Sequence, residues 1–330
     1  MAMKKTATKP VPTFWDKLPR PFFVLAPMAN VTDSVFRKLF AKYGKPDVTW
    51  TEFVSADGLI SPGRERLLVD LEYSRKERPI VAQLFTGHPE AMKKAAALAK
   101  KLGFDGVDIN MGCPDRAVEK QGGGANLIRN PKTAIAVLEA AREGAAGIPV
   151  TVKTRLGYTA VDFDWIKTLL EQKPPVLTVH LRTRKEMSEV AAHWELMHEV
   201  VKLRNEISPE TLIVGNGDVA SIEEAKEKVK RYGCDGVMIG RGIFGKPWFF
   251  ANLKSEKMPE ERLKILLEHT KAFEKAYCGK KRLKSFAVMK KHFKAYVNGW
   301  DNAKDLRAKL METNSYKEVE IIVKDYLKNR

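Results

Sequence analysis

Residues 103–112 read GFDGVDINMG, and residues 233–242 repeat the same pattern as GCDGVMIGRG. Each stretch begins with a Gly and Asp turn, continues as a short apolar run and ends on polar residues or Gly. An apolar run bounded by turn residues predicts a strand buried on both faces of a parallel sheet. Any helix-to-strand turn favours Gly and Asp, so whether this echo reflects an internal duplication stays open.

Six other runs of this kind lie between Phe22 and Phe244, separated by segments with apolar residues at helical spacing. The runs are FFVLAPM from Phe22, VTWTEF from Val48, PIVAQLF from Pro79, PVTVKTRL from Pro149, VLTVHLRT from Val176 and TLIVGNGD from Thr211. The predicted helices cover residues 91–102, 133–143, 163–170, 190–203 and 222–232. Eight strands that alternate with helices over about 225 residues predict the α/β class and a (β/α)8 TIM barrel.

The character of the chain changes after the barrel. Residues 252–330 carry apolar stripes at helical spacing and no strand pattern, which predicts a small C-terminal α-helical domain. We therefore expect an N-terminal extension over residues 1–20, a barrel over 21–251 and a helical domain over 252–330.

The net charge points to a polyanionic partner. The 330 residues hold 58 Lys and Arg against 41 Asp and Glu, a net charge of +17, and residues 252–330 hold 20 against 11. Lys280, Lys281, Arg282, Lys284, Lys290, Lys291 and Lys294 fall close together, and the last three lie away from the apolar stripe of Phe286, Met289 and Phe293. A charged face is usually only solvated, but one of a single sign favours contact with phosphates.

Composition narrows the class of protein further. Hydrophobic residues make up 44% and charged residues 30% of the chain, which is typical of a folded enzyme and not of a disordered chain. No apolar run reaches the length of a membrane span and the first residues lack a secretion signal, so we expect a cytoplasmic protein without a membrane partner. Cys113, Cys234 and Cys278 form no CxxC motif, so neither disulfides nor a metal site are expected.

A barrel of this kind builds its active site at the carboxyl ends of its strands. These ends carry polar and reactive residues: Pro27, Met28 and Ala29, Gln83, Asn110 and Cys113, Lys153 and Arg155, His180 and Arg182, Asn216, Gly217 and Asp218, and Gly240 and Arg241. Burial of cations inside apolar strands without a ligand would cost several kcal/mol. The pattern therefore predicts a ligand site at the barrel mouth.

Two parts of this set indicate the ligand. Residues 216–218 read NGD and residues 240–242 read GRG, at the ends of strands seven and eight, where backbone amides and a cation commonly hold a phosphate. Gln83 and Lys153, on the opposite side of the mouth, suit a polar ring that accepts electrons. The combination suggests flavin mononucleotide (FMN).

Cys113 and His180 each allow a structural and a functional interpretation. A lone cysteine is most often a buried apolar residue, but Cys113 ends a strand and precedes the Gly-rich residues 122–124, which favours a reactive thiol. A lone histidine is more often a core residue. Because Arg182 lies two residues from His180 on the same strand face, a role facing the ligand is favoured for both.

With these residues in place along the chain, the sequence resembles the tRNA-dihydrouridine synthase family. The resemblance rests on LAPMANVTDSVFR from Leu25, TEFVSADGL, VAQLFTGHPE, GVDINMGCP with GGGANLIRNP, VTVKTRLG, TVHLRTR, IVGNGD, IGRGIFGKPWFF, KKHFKAYVNGW and DLRAKL. It covers nearly the whole chain after the first twenty residues.

The resemblance implies an FMN enzyme, reduced by NADPH, that saturates the 5,6 double bond of a uridine in tRNA. It implies flavin contacts from Pro27, Met28, Ala29, Gln83, Lys153, His180, Asn216, Gly217, Asp218, Gly240 and Arg241. Cys113 would act as the general acid that protonates carbon 5. Asn110, Lys153, His180 and Arg182 would hold the uracil. Residues 21–251 would form the FMN-binding catalytic domain and residues 252–330 the helical tRNA-binding domain, in which Lys290, Lys291 and Lys294 would contact the tRNA.

Two other interpretations remain open from the sequence. One is a barrel flavoenzyme that acts on a free pyrimidine, of the dihydroorotate dehydrogenase type. This interpretation leaves the basic C-terminal tail, residues 252–330, without a function. The other is a barrel that only binds RNA, against which the joint presence of Cys113, Lys153 and His180 argues. We expect tRNA and not DNA as the partner, and a monomer.

Overall fold

The computed structural model describes residues 13–251, 253, 256–279 and 283–329. Eight parallel strands form one sheet in the order β1-β8-β7-β6-β5-β4-β3-β2. A bridge between Val24 and Val48 joins the two ends of this order, so the sheet curves round into a barrel. The strands are β1 Phe22–Leu25, β2 Thr49–Ser55, β3 Ile80–Phe85, β4 Gly106–Met111, β5 Val150–Gly157, β6 Val176–Thr183, β7 Leu212–Asn216 and β8 Gly236–Ile239. The predicted barrel is confirmed.

Helices connect the strands and follow the barrel. Those of the barrel are α1 Ser34–Tyr43, α2 Ala56–Leu59, α3 Glu65–Leu68, α4 Pro89–Lys101, α5 Arg116–Lys120, α6 Pro131–Ala145, α7 Phe163–Glu171, α8 Met197–Ile207 and α9 Ile222–Tyr232. Those that follow it are α10 Pro259–Tyr277, α11 Val288–Tyr296, α12 Ala303–Met311 and α13 Tyr316–Lys328. No helix in the described ranges is long and apolar enough to cross a membrane.

One predicted helix begins later than its apolar pattern indicates. The predicted range was 190–203, but α8 begins at Met197 after a 3-10 turn over Trp194–Leu196. The preceding residues bond back to the barrel instead, because the Ala192 N–H donates to Asp218 and the His193 N–H donates to the Leu181 carbonyl. This segment therefore lies over the end of β6.

The amino ends of the strands are closed by the segment before β1. Thr13 caps a 3-10 turn over Phe14–Lys17, and the Trp15 ring, 1% exposed, packs against Phe22 and Trp50. The barrel is thus filled at this end. The opposite, carboxyl end is where the predicted site residues lie.

Helices α10 to α13 share an apolar core that reaches into the barrel. Leu263, Phe273 and Phe293 lie in this core together with Val35 of α1 and Trp248, which follows β8. The tail is therefore packed against one flank of the barrel. The two parts share buried side chains across residues 251 and 252. The division into two domains at this point stays a prediction.

A buried ion-pair cluster joins the tail to the barrel mouth. Lys284 lies between Glu52 of β2 and Asp70, with its Nζ 2.8 Å from Asp70 Oδ1. Glu52 also accepts a hydrogen bond from the Asn30 N–H, directly after the predicted ligand residues that end β1. Lys284 is thus an internal counter-ion and not part of a basic surface, although the sequence places it among other basic residues. Lys280, Lys281 and Arg282 lie outside the described residues.

Candidate active site at the carboxyl end of the barrel

The carboxyl ends of β1 and of β5 to β8 surround a cavity of about 570 Å³. Of the predicted cofactor residues, all but Ala29 and Gln83 line it, namely Pro27, Met28, Lys153, His180, Asn216, Gly217, Asp218, Gly240 and Arg241. Arg155, Arg182 and Ser188 line it as well. Larger hollows of about 890 Å³ beside Trp300 and about 980 Å³ beside Lys38 bring together none of the predicted site residues.

One side of the cavity is built to bind an anion. Within the described chain, the backbone N–H groups of Gly217, Asp218, Gly240 and Arg241 donate to no protein acceptor. Gly217 has φ +138°, and a Cβ there would lie 2.6 Å from that of Ala192. Arg241 is exposed at this edge, where its Nη2 donates to Asp218 Oδ1 over 2.6 Å. Four free amides beside a guanidinium could hold a phosphate.

Lys153 and His180 form the opposite side. The Lys153 ammonium makes no hydrogen bond or ion pair with any described residue, and burial together with the nearby Arg155 lowers its pKa to about 8. His180 Nε2 accepts from Arg182 Nη1 over 3.2 Å, so the ring proton lies on Nδ1. Burial and the cations around it hold the pKa of His180 well below its ordinary value, so this ring is neutral. The pair can stabilise negative charge on a ligand.

Arg182 lines the cavity and also holds two of its neighbours there. Its side chain is 2% exposed, and its three nitrogens donate to the Val190 carbonyl, to His180 and to Asp218. It therefore orients two of the residues that line the cavity. Its predicted contact with the substrate stays a prediction.

Cys113 lies in a turn held by Asn110. Asn110 Oδ1 accepts from the backbone N–H groups of Gly112 and Cys113, over 3.1 and 2.9 Å. Burial raises the pKa of the Cys113 thiol, against the opposing effect of the nearby Arg155 and Lys153. The thiol is thus protonated at neutral pH, and so able to give a proton.

Arg155 is a site residue to which the sequence analysis gave no role. Its Nε donates to the Gly112 carbonyl over 2.8 Å, and its Nη1 donates to the carbonyls of Thr183 and Met187. It therefore ties the turn before Cys113 to the loop after β6. An arginine inside an apolar strand, two residues from Lys153, was the signal available in the sequence.

Three contacts hold the loop that follows Cys113. Arg184 pairs with Glu119 of α5, and its Nη2 also bonds to the Pro114 carbonyl. The Cys113 carbonyl accepts from the Ala125 N–H over 2.9 Å. Gly124, at φ +59°, packs so closely that a Cβ there would lie 2.6 Å from the Cys113 carbonyl oxygen.

Replacing Gly124 by Ala is therefore expected to displace the Cys113 turn. The left-handed backbone and the collision with the carbonyl oxygen should together lower the free energy of unfolding by about 1–3 kcal/mol, measured by urea denaturation. Gly299→Ala is the matched control, because Gly299 has φ +83° but open space around it. Equal losses of stability in the two variants would show that the contact with Cys113 has no energetic weight.

The predicted tRNA-contacting lysines lie apart from the cavity. Lys290 is half-buried on α11, whereas Lys291 and Lys294 are exposed on the same helix. Desolvation lowers the pKa of Lys291, against the attraction of Glu52. In the described ranges, no group of three or more His, Cys, Asp or Glu side chains is placed to hold a metal ion.

Comparison with known proteins decides the family. Residues 24–330 match the family described as dihydrouridine synthase (Dus). The chain belongs to the dihydrouridine synthase family. It is 42% identical over 316 residues to the probable tRNA-dihydrouridine synthase of Staphylococcus aureus (strain COL), covering 95% of each chain. It is equally identical over 316 residues to the probable tRNA-dihydrouridine synthase 2 of Bacillus subtilis (strain 168), covering 95% of this chain and 96% of the relative.

The barrel of this dihydrouridine synthase is also found in a solved structure. Morphinone reductase is similar with a TM-score of 0.52 at 13% sequence identity, over 72% of this chain and 86% of that one, which shows a shared fold. The dihydrouridine synthase match runs through both the barrel and helices α10 to α13. It favours an enzyme acting on uridine over the two alternatives that the sequence left open, a free-pyrimidine dehydrogenase and a barrel that only binds RNA.

Proposed function

We propose that this dihydrouridine synthase uses FMN and NADPH to reduce the 5,6 double bond of a uridine in tRNA, with Cys113 as the general acid. The observation that carries the proposal is the composition of the cavity. An anion-binding edge of four amides and Arg241 faces Lys153 and a neutral His180, and among the described residues neither these amides nor Lys153 has a partner. The turn with the protonated Cys113 thiol lies beside them. The sequence relatives support the choice of tRNA as substrate.

The donors in the cavity suit FMN. Its phosphate would be held by the free N–H groups at residues 217–218 and 240–241 and by Arg241, and its ring would lie beside Lys153 and His180. Gln83 is fully buried with both ends of its amide engaged, so its contact with the ring stays a prediction. FMN, when bound, supplies the hydride that carbon 6 of the uracil receives.

The protein residues stabilise the negative charge on the uracil and supply the proton that carbon 5 receives. Addition of hydride at carbon 6 leaves negative charge on carbon 5 and on the uracil carbonyl. The Cys113 thiol gives its proton to carbon 5, and its raised pKa keeps that proton available at neutral pH. The Lys153 ammonium and the N–H of neutral His180 stabilise the charge on the carbonyl oxygen. Asn110 holds the Cys113 backbone during this transfer.

The basic face of α11 gives a prediction about tRNA binding. Changing Lys290, Lys291 and Lys294 together to Gln should weaken tRNA binding. It should also flatten the dependence of log Kd on log salt by up to about three units of slope, because fewer counter-ions are released from the tRNA when fewer phosphates are contacted. A filter-binding salt titration measures this. Lys304, Lys317 and Lys328, exposed elsewhere on the tail, give a control with the same loss of charge. If both triple variants bind tRNA alike, α11 is only a solvated face.

The proposal as a whole is tested by purification and assay. The protein should be yellow or take up FMN, should reduce this flavin with NADPH, and should form dihydrouridine when tRNA is present. A protein that takes up no FMN would refute the cofactor assignment. A protein that reduces a free pyrimidine faster than tRNA would refute the substrate assignment.

A further inference from the structure

Asp108 is a buried carboxylate that neither the anion site nor the proton transfer uses. It lies on β4, two residues before Asn110, so both side chains point to the same face of the strand. Its side chain is 1% exposed. A carboxylate in such a position needs hydrogen-bond donors, because an unpaired buried charge is very costly.

Two side chains supply these donors. Gln83 Nε2 of β3 donates to Asp108 Oδ2 over 2.6 Å, and Thr151 Oγ1 of β5 donates to Asp108 Oδ1. The bond from Gln83 has a directional consequence. Because an ionised carboxylate can only accept, the NH2 end of Gln83 must face Asp108, and its carbonyl end must face the other way.

The orientation of the Gln83 amide also fixes that of the Asn110 amide. Asn110 Nδ2 donates to Gln83 Oε1 over 3.1 Å, which leaves Asn110 Oδ1 to accept from the N–H groups of Gly112 and Cys113. If Gln83 turned over, its NH2 group would face that of Asn110. Asn110 would then turn as well and present two donors to two backbone donors, and the Cys113 turn would lose both bonds.

We infer that Asp108 is a positioning residue of the reduction, since its carboxylate sets the amide orientations of Gln83 and Asn110 and, through them, holds the Cys113 turn. The catalytic meaning of this inference rests on the proposed function. The chain of bonds itself runs through buried side chains of two adjacent strands, β3 and β4. It links the predicted flavin residue Gln83 to the predicted acid Cys113, two residues that the sequence treats as separate.

The charge of Asp108 is set by the same surroundings. Burial raises its pKa to about 6, while the bonds from Gln83 and Thr151 and the Lys153 ammonium oppose this rise. Of the groups that face it, Lys153 on β5 is the charged one, whereas Gln83, Thr151 and Trp50 do not titrate in this range. Asp108 is therefore mainly ionised at pH 7, and the order of donors and acceptors described above is the one that operates there.

Three variants separate this role from packing. Asp108→Asn loses the charge but keeps an oxygen for Gln83, while its NH2 can face the Thr151 hydroxyl. Asp108→Ala loses the charge and the acceptor. Thr151→Val removes the other bond to the carboxylate and leaves the chain to Cys113 intact. Because Asp108→Asn and Asp108→Ala share the loss of charge beside Lys153, a difference between them cannot come from the charge.

The first readout is the half-reaction that needs the proton. In stopped flow, oxidation of the reduced flavin by tRNA should slow by about 10–100-fold in Asp108→Ala, because a small displacement of a reacting group costs this much. Reduction of the flavin by NADPH should slow much less than this, and Asp108→Asn and Thr151→Val should stay within a few-fold of wild type. Equal slowing of both half-reactions in Asp108→Ala, or no rescue by Asp108→Asn, would overturn the inference.

The second readout needs neither tRNA nor turnover. The rate of Cys113 alkylation by iodoacetamide, followed by mass spectrometry of its peptide, should rise several-fold in Asp108→Ala and not in Thr151→Val. An unchanged alkylation rate in a folded Asp108→Ala protein would overturn the positioning role. If wild type makes no dihydrouridine but the alkylation rates differ as expected, the proposed function fails and the positioning role stands.

Discussion

Replacing Cys113 by Ala is expected to slow dihydrouridine formation by about 10²–10⁴-fold, the usual contribution of a positioned general acid. FMN affinity should not change, because Cys113 is absent from the lining of the cavity that gathers the predicted flavin residues. The loss should fall on the oxidation of reduced flavin by tRNA and not on flavin reduction by NADPH. Single-turnover measurements of the two half-reactions provide the check.

Two further variants sharpen this prediction. Cys113→Ser keeps the size of the side chain but has a far weaker acid, so it should be nearly as slow as Cys113→Ala. Cys278→Ala is the matched control, since Cys278 is also a half-buried thiol but lies in the tail. Wild-type turnover in Cys113→Ala, or equal losses in the Cys113 and Cys278 variants, would contradict the acid role.

The pH dependence follows from the same thiol. The active form of Cys113 is the protonated one, so its contribution is constant below its pKa and is lost above it. Burial raises this pKa, which moves the loss further to the alkaline side. In Cys113→Ala, the alkaline decline that the thiol causes should be absent from the residual rate.

Lys153→Met is expected to lower turnover by about 10²–10³-fold, the cost of removing one preorganised donor to a developing negative charge. Methionine fills a similar volume without the ammonium, so the cavity should keep its shape. The pKa of Lys153 is about 8 in the protein without ligand. Its charge is therefore present below pH 8 and lost above, and wild-type FMN affinity should fall as the pH rises through that value.

Fluorescence titration of FMN at several pH values tests the second part. Lys153→Met should bind FMN more weakly at pH 7 and should lack the change near pH 8. Lys185→Met is the matched control, because Lys185 is an exposed lysine in the segment after β6 and loses the same charge. If the two variants show the same pH dependence as wild type, Lys153 does not contact the ligand.

The sequence predicts the barrel because its decisive signals are local. Each strand is a short apolar run between turns, and each of the longer helices has its own apolar spacing, so both can be identified without knowing their partners. The error at α8 has a tertiary cause. Residues 190–193 have helical spacing, but the backbone N–H groups of Ala192 and His193 bond to Asp218 and Leu181, which lie outside this segment.

The same division applies to the site. Lys153, His180, Asp218 and Arg241 could be predicted because polar residues at strand ends converge in any such barrel. The partner of each side chain could not be predicted, because these partners lie on other strands. Lys284 looked like part of a basic surface and instead neutralises Glu52 and Asp70 inside the interface. The chain from Asp108 to Cys113 likewise depends on which end of each amide faces which neighbour.

The most direct test of the central claim uses the purified wild-type chain with FMN, NADPH and an unmodified tRNA transcript. After incubation, the nucleosides of the tRNA are separated and identified by mass spectrometry. The account predicts dihydrouridine in the wild-type reaction and almost none with Cys113→Ala carrying the same amount of FMN. A wild-type protein that binds FMN and oxidises NADPH but leaves every uridine of its cognate tRNAs unreduced would contradict it.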